Sequence, residues 1–236
     1  MVALLNAKRR FPDLSDANVT RGYAMPYGPP LPAVEHRRPP PVVEVAFDRY
    51  REDAMVVERI AVSGRSAVYV TSDYTRWGPT SVRAVKLLET ALEVIGSPGV
   101  AALTVRYTDL FRGDFIDGKI THPLVLFRPG SEMIVSSALT SEDFFHSHTG
   151  FFKKLHSGER ALFNCDIELT GSNDARSLSI MTSVKVFVTE GTGLVPGAAN
   201  RPPLPKLADM AHISCKEVLY SLLADPVCAL IGLKVT

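Results

Sequence analysis

The 236-residue chain lacks most of what would declare a chemistry at once. It has no GxSxG elbow for a serine nucleophile, no HExxH pair for zinc, no P-loop and no dinucleotide glycine fingerprint. Its three cysteines, Cys165, Cys215 and Cys228, have neither the paired spacing of a zinc site nor the even number of a disulfide framework. They sit in apolar or mixed segments, as reduced, buried thiols do. Trp77 stands alone, without a regular aromatic series around it, which favours a packing anchor over a stacking platform. Neither sign of charge dominates: 26 Lys plus Arg against 25 Asp plus Glu leave a net +1, so no global field draws the chain to nucleic acid or an anionic membrane. No apolar run approaches the roughly 20 residues that span a bilayer. The opening MVALLNAKRR places its basic residues after a short apolar run, the reverse of a secretory signal. A cytoplasmic location with no membrane partner is the expectation.

What the chain does have is an apolar fraction of 46%, ordinary for a globular protein with a real core. Residues 1–40 stand apart as a proline-rich arm: eight of the 17 prolines fall before residue 42. Proline at that density favours extended polyproline II, a form suited to lying across a domain or reaching a partner, with Tyr23, Tyr27, Leu31, Arg37 and Arg38 as the contacts.

Residues 41–236 read as a single α+β domain. Its centre is the stretch Tyr74 to Phe111. Gly78-Pro79-Thr80 predicts a helix start with Thr80 as N-cap, and Val85, Leu88, Leu92 and Ile95 make one stripe while Arg83 points elsewhere. Gly96 ends the helix, and a long strand follows from Val100 to Phe111. On that strand Leu103, Val105, Tyr107, Asp109 and Phe111 share one face. Arg106, on the other, is expected to pair with a neighbouring carboxylate, and Asp109 to cap a loop.

Strands are predicted before the helix at 41–47, 56–62 and 67–72, the last two joined by a hairpin turn at 63–66. After it come a short strand at 124–127, another at 133–139, an aromatic and histidine-rich segment at 141–156 with no clean period, and an antiparallel hairpin at 161–169 and 178–188 around a turn at 171–174. A proline-rich connector at 196–205 opens a helix whose stripe is Leu204, Ala208, Ala211, Cys215, Val218 and Leu222; a short helix at 227–233 closes the chain. The order predicts antiparallel sheets in two pseudo-repeated β-rich halves, about 41–115 and 116–236, each with one long packing helix.

Pro40-Pro41-Val42-Val43-Glu44-Val45, Tyr74-Thr75-Arg76-Trp77, Arg106-Tyr107-Thr108-Asp109 and Ala211-His212 in the last long helix follow one another in an order and spacing that resembles a sporadically distributed family of uncharacterised bacterial proteins, over about residues 40 to 232. The resemblance implies a single α+β domain with no settled activity, and such a distribution is associated with antiviral defence and toxin–antitoxin loci. The arm before Pro40 and a shortened region between Tyr50 and Val56 depart from the family pattern.

Three functions are open at this stage. Absence of a convergent polar set, together with the arm, points first to a non-catalytic assembly subunit that binds a protein partner or a copy of itself, with no cofactor. An RNA-binding or RNA-processing subunit is the alternative, with Lys153, Lys154 and His156 against the phosphate backbone beside Phe151 and Phe152. The third is a metal-dependent hydrolase in which His146, His148 and His156, with Glu142 and Asp143 nearby, hold zinc or manganese, since His-x-His on a strand puts both rings on one face. Cys215 and His212, three residues apart on a helix, are a further nucleophile and base candidate, and they face the expected core.

Overall fold

The structure, a computed structural model, describes residues 16–21, 42–63, 66–96, 100–112, 125–140, 144–170, 177–188 and 203–234. Tyr23, Tyr27, Leu31, Arg37 and Arg38 of the arm lie outside them, as do Glu142, Asp143 and the turn at 171–174. Two compact units divide the chain, Met1–Gly99 and Val100–Thr236.

The first unit is an antiparallel sheet in the order β1 (Asp16–Arg21), β2 (Val42–Tyr50), β3 (Val56–Ser63), β4 (Ala67–Thr71), followed by helix α1 (Trp77–Val94). Alternation along the strands gives the sheet its helix-facing side: Phe47 pairs with Ile60 and Ile60 with Tyr69. Phe47, Ile60 and Ala91 form a buried cluster, with Val45, Val62, Ala67, Tyr69, Leu87 and Leu88 packed around it. Burying Phe47 and Ile60 contributes about 1.5–3 kcal/mol each, and Ala91, fully buried, lets the helix approach closely.

Helix α1 starts at Trp77, three residues before the expected cap. Thr80 donates its own N–H to Arg76 O at 3.3 Å, so it lies inside the first turn. Pro79 is tolerated there because a first-turn N–H needs no helical partner. Gly96 ends the helix as predicted, with φ of +63°. Arg83 does not point to solvent: it reaches Glu58 on β3, whose side chain is 1% exposed and also accepts from Arg49 Nε at 3.0 Å and Tyr69 Oη at 2.8 Å. Burial alone would raise the Glu58 carboxyl, but the hydrogen bonds from Arg83, Arg49 and Tyr69 outweigh it and hold it down at about 2. On the opposite face Asp48, fully buried, takes both oxygens to Arg59, at 2.6 and 2.9 Å.

The second unit is built on β5 (Ala102–Arg112), α2 (Ser136–Leu139), β6 (Phe145–Lys154), β7 (Arg160–Thr170), β8 (Ser177–Phe187), α3 (Leu204–Leu222) and α4 (Asp225–Leu230). Its sheet is antiparallel in the order β5-β8-β7-β6. Strand β5 belongs here because every residue of it pairs along β8. Helix α3 covers one face with Leu207, Ala208, Ala211, Cys215, Val218 and Leu222, all buried, over Leu178, Ile180, Val184 and Val186. The chain is thus α+β, with two antiparallel sheets and one long helix on each. The meander's extra strand joins at opposite ends in the two units, β1 on β2 and β5 on β8.

Two local expectations change. Residues 133–139 form a turn and the short helix α2 rather than a strand: Ile134 and Ala138, four apart, are the buried pair, a helical spacing in a run too short to tell from alternation. The segment with no clean period contains strand β6. Its inward positions include Ser147 and Thr149, and its exposed ones include Phe152, so polarity does not mark the faces. No helix among the described residues is long and apolar enough to cross a membrane.

Candidate functional site

Strand register lays the side chains on the face of the second sheet turned away from α3 out in transverse rows. At one end Lys154 pairs with Arg160 and Arg160 with Phe187. The next row is Phe152, Leu162, Lys185 and Thr104, and the one after it Gly150, Asn164, Ser183 and Arg106. Then come His148, Asp166, Met181 and Thr108, followed by His146, Glu168, Ser179 and Leu110. Rows on one face are spaced by two residues, about 7 Å.

Phe152 is 54% exposed, an unusual position for a phenylalanine on a sheet. The Arg160 guanidinium lies over its ring at 4.1 Å, the Phe187 ring is 6.2 Å away, and Lys185 Nζ is 5.2 Å from the Phe187 centroid. On the inner face Phe151 stacks on Phe163 at 5.1 Å, which fixes the strand from below. Arg106, Arg112, Lys154, Arg160 and Lys185 give this face more positive than negative charge, against Asp166 and Glu168. The expected partner of Arg106 is absent: no carboxylate pairs with it among the described residues, and it lies exposed across from Ser183. Flat π surface and cations suit a polyanion with flat groups of its own.

Two rows further on, His148 hydrogen-bonds Asp166 Oδ1 through Nδ1, and His146 Nε2 is 3.7 Å from the same oxygen. Both histidines are exposed. Gly150 sits beside them, and a Cβ there would meet Asn164 Oδ1 at 2.8 Å and His148 Nε2 at 3.4 Å. The bare glycine is what leaves room for the His148 ring edge.

Beneath α3 the inner face holds a second polar set. Tyr107 Oη and His212 Nδ1 are 2.8 Å apart, and Cys215 donates to Val105 O at 3.5 Å. Burial first, and the nearby Lys216 second, lower His212 to about 4, while burial pushes the Cys215 thiol up to about 12. A protonated thiol bonded to a carbonyl is the opposite of an activated nucleophile. Asp109 lies half-buried on this face, Oδ2 finds no hydrogen-bond partner among the described residues, and burial raises its pKa; the loop it is expected to cap lies outside the described residues.

Of the sequence-derived candidates, His146 and His148 meet at Asp166, but His156 does not join them. It occupies the turn after β6, closed by Leu155 N–H to Glu159 O at 2.8 Å, and lies eight residues beyond His148, about 25 Å along an extended strand. No group of three or more His, Cys, Asp or Glu among the described residues is gathered to hold a metal ion. Lys153 and Lys154 are both exposed, but only Lys154 shares the outer face; Lys153 pairs with buried Ala161 on the other. Phe187, Arg160, Lys185 and Asp166 were not marked by the sequence, because they become neighbours only through the β6–β7–β8 register. The signal that could have found them is the exposed side of the predicted hairpin, read backwards from its buried side. Comparison with protein-family models, with curated proteins and with solved structures finds no match for this chain.

Proposed function

We propose that the second unit binds single-stranded nucleic acid, RNA in the first instance, on the outer face of its sheet. The observation that supports this most is the exposed Phe152 ring framed by Arg160, Phe187 and Lys185. Bases stack on aromatic rings without regard to sequence, each for about 1–3 kcal/mol, and cations track the phosphates. Arg106 and Arg112 extend the charge along β5. The test is a fluorescence anisotropy titration of a labelled oligouridine. Phe152→Ala is expected to weaken binding about 5- to 100-fold, and the wild-type affinity to fall with salt at a log–log slope of roughly −2, the value for three phosphate contacts. A slope near zero, or no effect of Phe152→Ala, contradicts the reading.

Assembly through the N-terminal segment is the second reading, favoured by one observation: β1, from within that segment, pairs antiparallel along β2 from Asp16↔Asp48 to Thr20↔Glu44. A segment that adds a strand to a sheet edge can do so on a second copy as well. Light scattering on the full chain and on a variant lacking residues 1–38 tests it; equal, monomeric masses for both oppose it.

A further inference from the structure

We propose that the His146, His148 and Asp166 cluster cleaves bound RNA by intramolecular transesterification. The inference rests on the single-strand reading above and adds a reaction and a substrate class to the same face. Three features of the cluster argue for it. Asp166 accepts from His148 Nδ1, which fixes the tautomer and leaves Nε2 as a free lone pair. That Nε2 lies beside Gly150, 3.4 Å from where a Cβ would stand, on an exposed side chain. His146, whose Nε2 is 3.7 Å from the same carboxylate oxygen, is the second imidazole of the cluster and takes the part of the acid. A base and an acid beside one orienting carboxylate are what phosphodiester transfer within a ribonucleotide requires.

The face also supplies the approach. Phe152 and His148 are four residues apart on β6, about 13 Å along the strand, so a chain stacked on Phe152 reaches the histidines after crossing the Gly150–Asn164–Ser183–Arg106 row.

The step balances without a metal, oxidant or co-substrate. His148 Nε2 takes the proton of a ribose 2′-hydroxyl as that oxygen bonds to the adjacent phosphorus. The bond from phosphorus to the 5′ oxygen of the next nucleotide breaks, and that oxygen takes a proton from His146. The products are a 2′,3′-cyclic phosphate and a free 5′-hydroxyl, and proton exchange with water resets the two rings. A 2′-deoxy or 2′-O-methyl strand binds but has no hydroxyl proton to give.

The experiment uses the full chain, a 5′-labelled RNA oligonucleotide of mixed sequence and its 2′-O-methyl counterpart, in EDTA. The RNA is expected to be cut with 2′,3′-cyclic phosphate ends, and the 2′-O-methyl strand to bind and stay whole. His148→Ala and His146→Ala are each expected to lower the cleavage rate by 100-fold or more, with affinity for the 2′-O-methyl strand unchanged within about twofold. Both side chains are exposed, so the variants should melt like the wild type, which circular dichroism checks. If the 2′-O-methyl strand binds and the RNA stays whole, the cleavage inference is overturned while the binding reading stands. Equal cleavage by wild type and His148→Ala, the mark of a contaminating nuclease, overturns it too. If neither strand binds, both fall.

Discussion

Tyr107 Oη and His212 Nδ1 lie 2.8 Å apart between β5 and α3, with their rings edge to face at 5.8 Å. The pair lies between the sheet and the helix and each partner satisfies the other's polar atom, so it is a structural bond of the core. Tyr107→Phe is expected to cost about 1 kcal/mol of unfolding free energy, read from urea unfolding at pH 7; a loss below 0.3 or so would mean that the bond is not formed.

The same histidine gives a pH dependence. Its folded pKa is lowered from 6.5 to about 4, chiefly by burial. Between those values the unfolded chain binds the proton and the folded one does not, so this contribution to stability is whole above pH 6.5 and fades as pH falls through 4. An NMR titration of the His212 ring should show its midpoint near 4. His212→Gln should flatten the stability profile in that window.

Glu58 titrates lower. Its carboxyl is held at about 2 against an ordinary 4.5, despite burial, by Arg83, Arg49 and Tyr69. Its stabilisation is therefore present above 4.5 and lost as pH falls from there toward 2. Glu58→Gln should cost about 2 kcal/mol at pH 7 and remove this part of the acid sensitivity; an unchanged acid limb in the variant would show that other carboxylates govern it.

Ala54, in the turn between β2 and β3, has φ of +62°, a conformation that costs a residue with a Cβ about 1 kcal/mol. Ala54→Gly is expected to raise stability by about 0.5 kcal/mol after the added chain entropy of glycine. Chemical denaturation at pH 7 measures it, and a fall in stability would place the strain elsewhere.

Burial raises Cys165 and Cys215 to about 12. Neither thiol should react with iodoacetamide in the native protein at pH 8, and both should react once it is unfolded. Rapid native labelling of Cys215 would reopen the Cys215/His212 pair as a reactive site.

The α+β class, the β7–β8 hairpin and the α3 stripe were legible because burial there follows a clean period: Phe163, Cys165, Ile167 and Leu169 alternate, and Ala208, Ala211, Cys215 and Val218 recur at three and four. Strand β6 was not legible, because small polar residues point inward from it and Phe152 points outward. The His146/His148 pairing was visible as His-x-His, but its partner Asp166 is 18 residues from His148 and is supplied only by strand register. Glu58 and Arg83 are 25 residues apart, and no local pattern announces a buried charge in a strand met by an arginine from a helix. Long-range polar pairs of this kind are decided by packing.

The most direct test of the account is where a bound strand touches the protein. Photo-crosslinking a 4-thiouridine oligonucleotide to the full chain, with the joined peptides located by mass spectrometry, should mark β6 and the outer face of β7 and β8, with Phe152, Arg160 and Phe187 among the contacts. Crosslinks confined to residues 1–40 or to the first sheet, or none at saturating protein, would contradict a nucleic-acid face on the second.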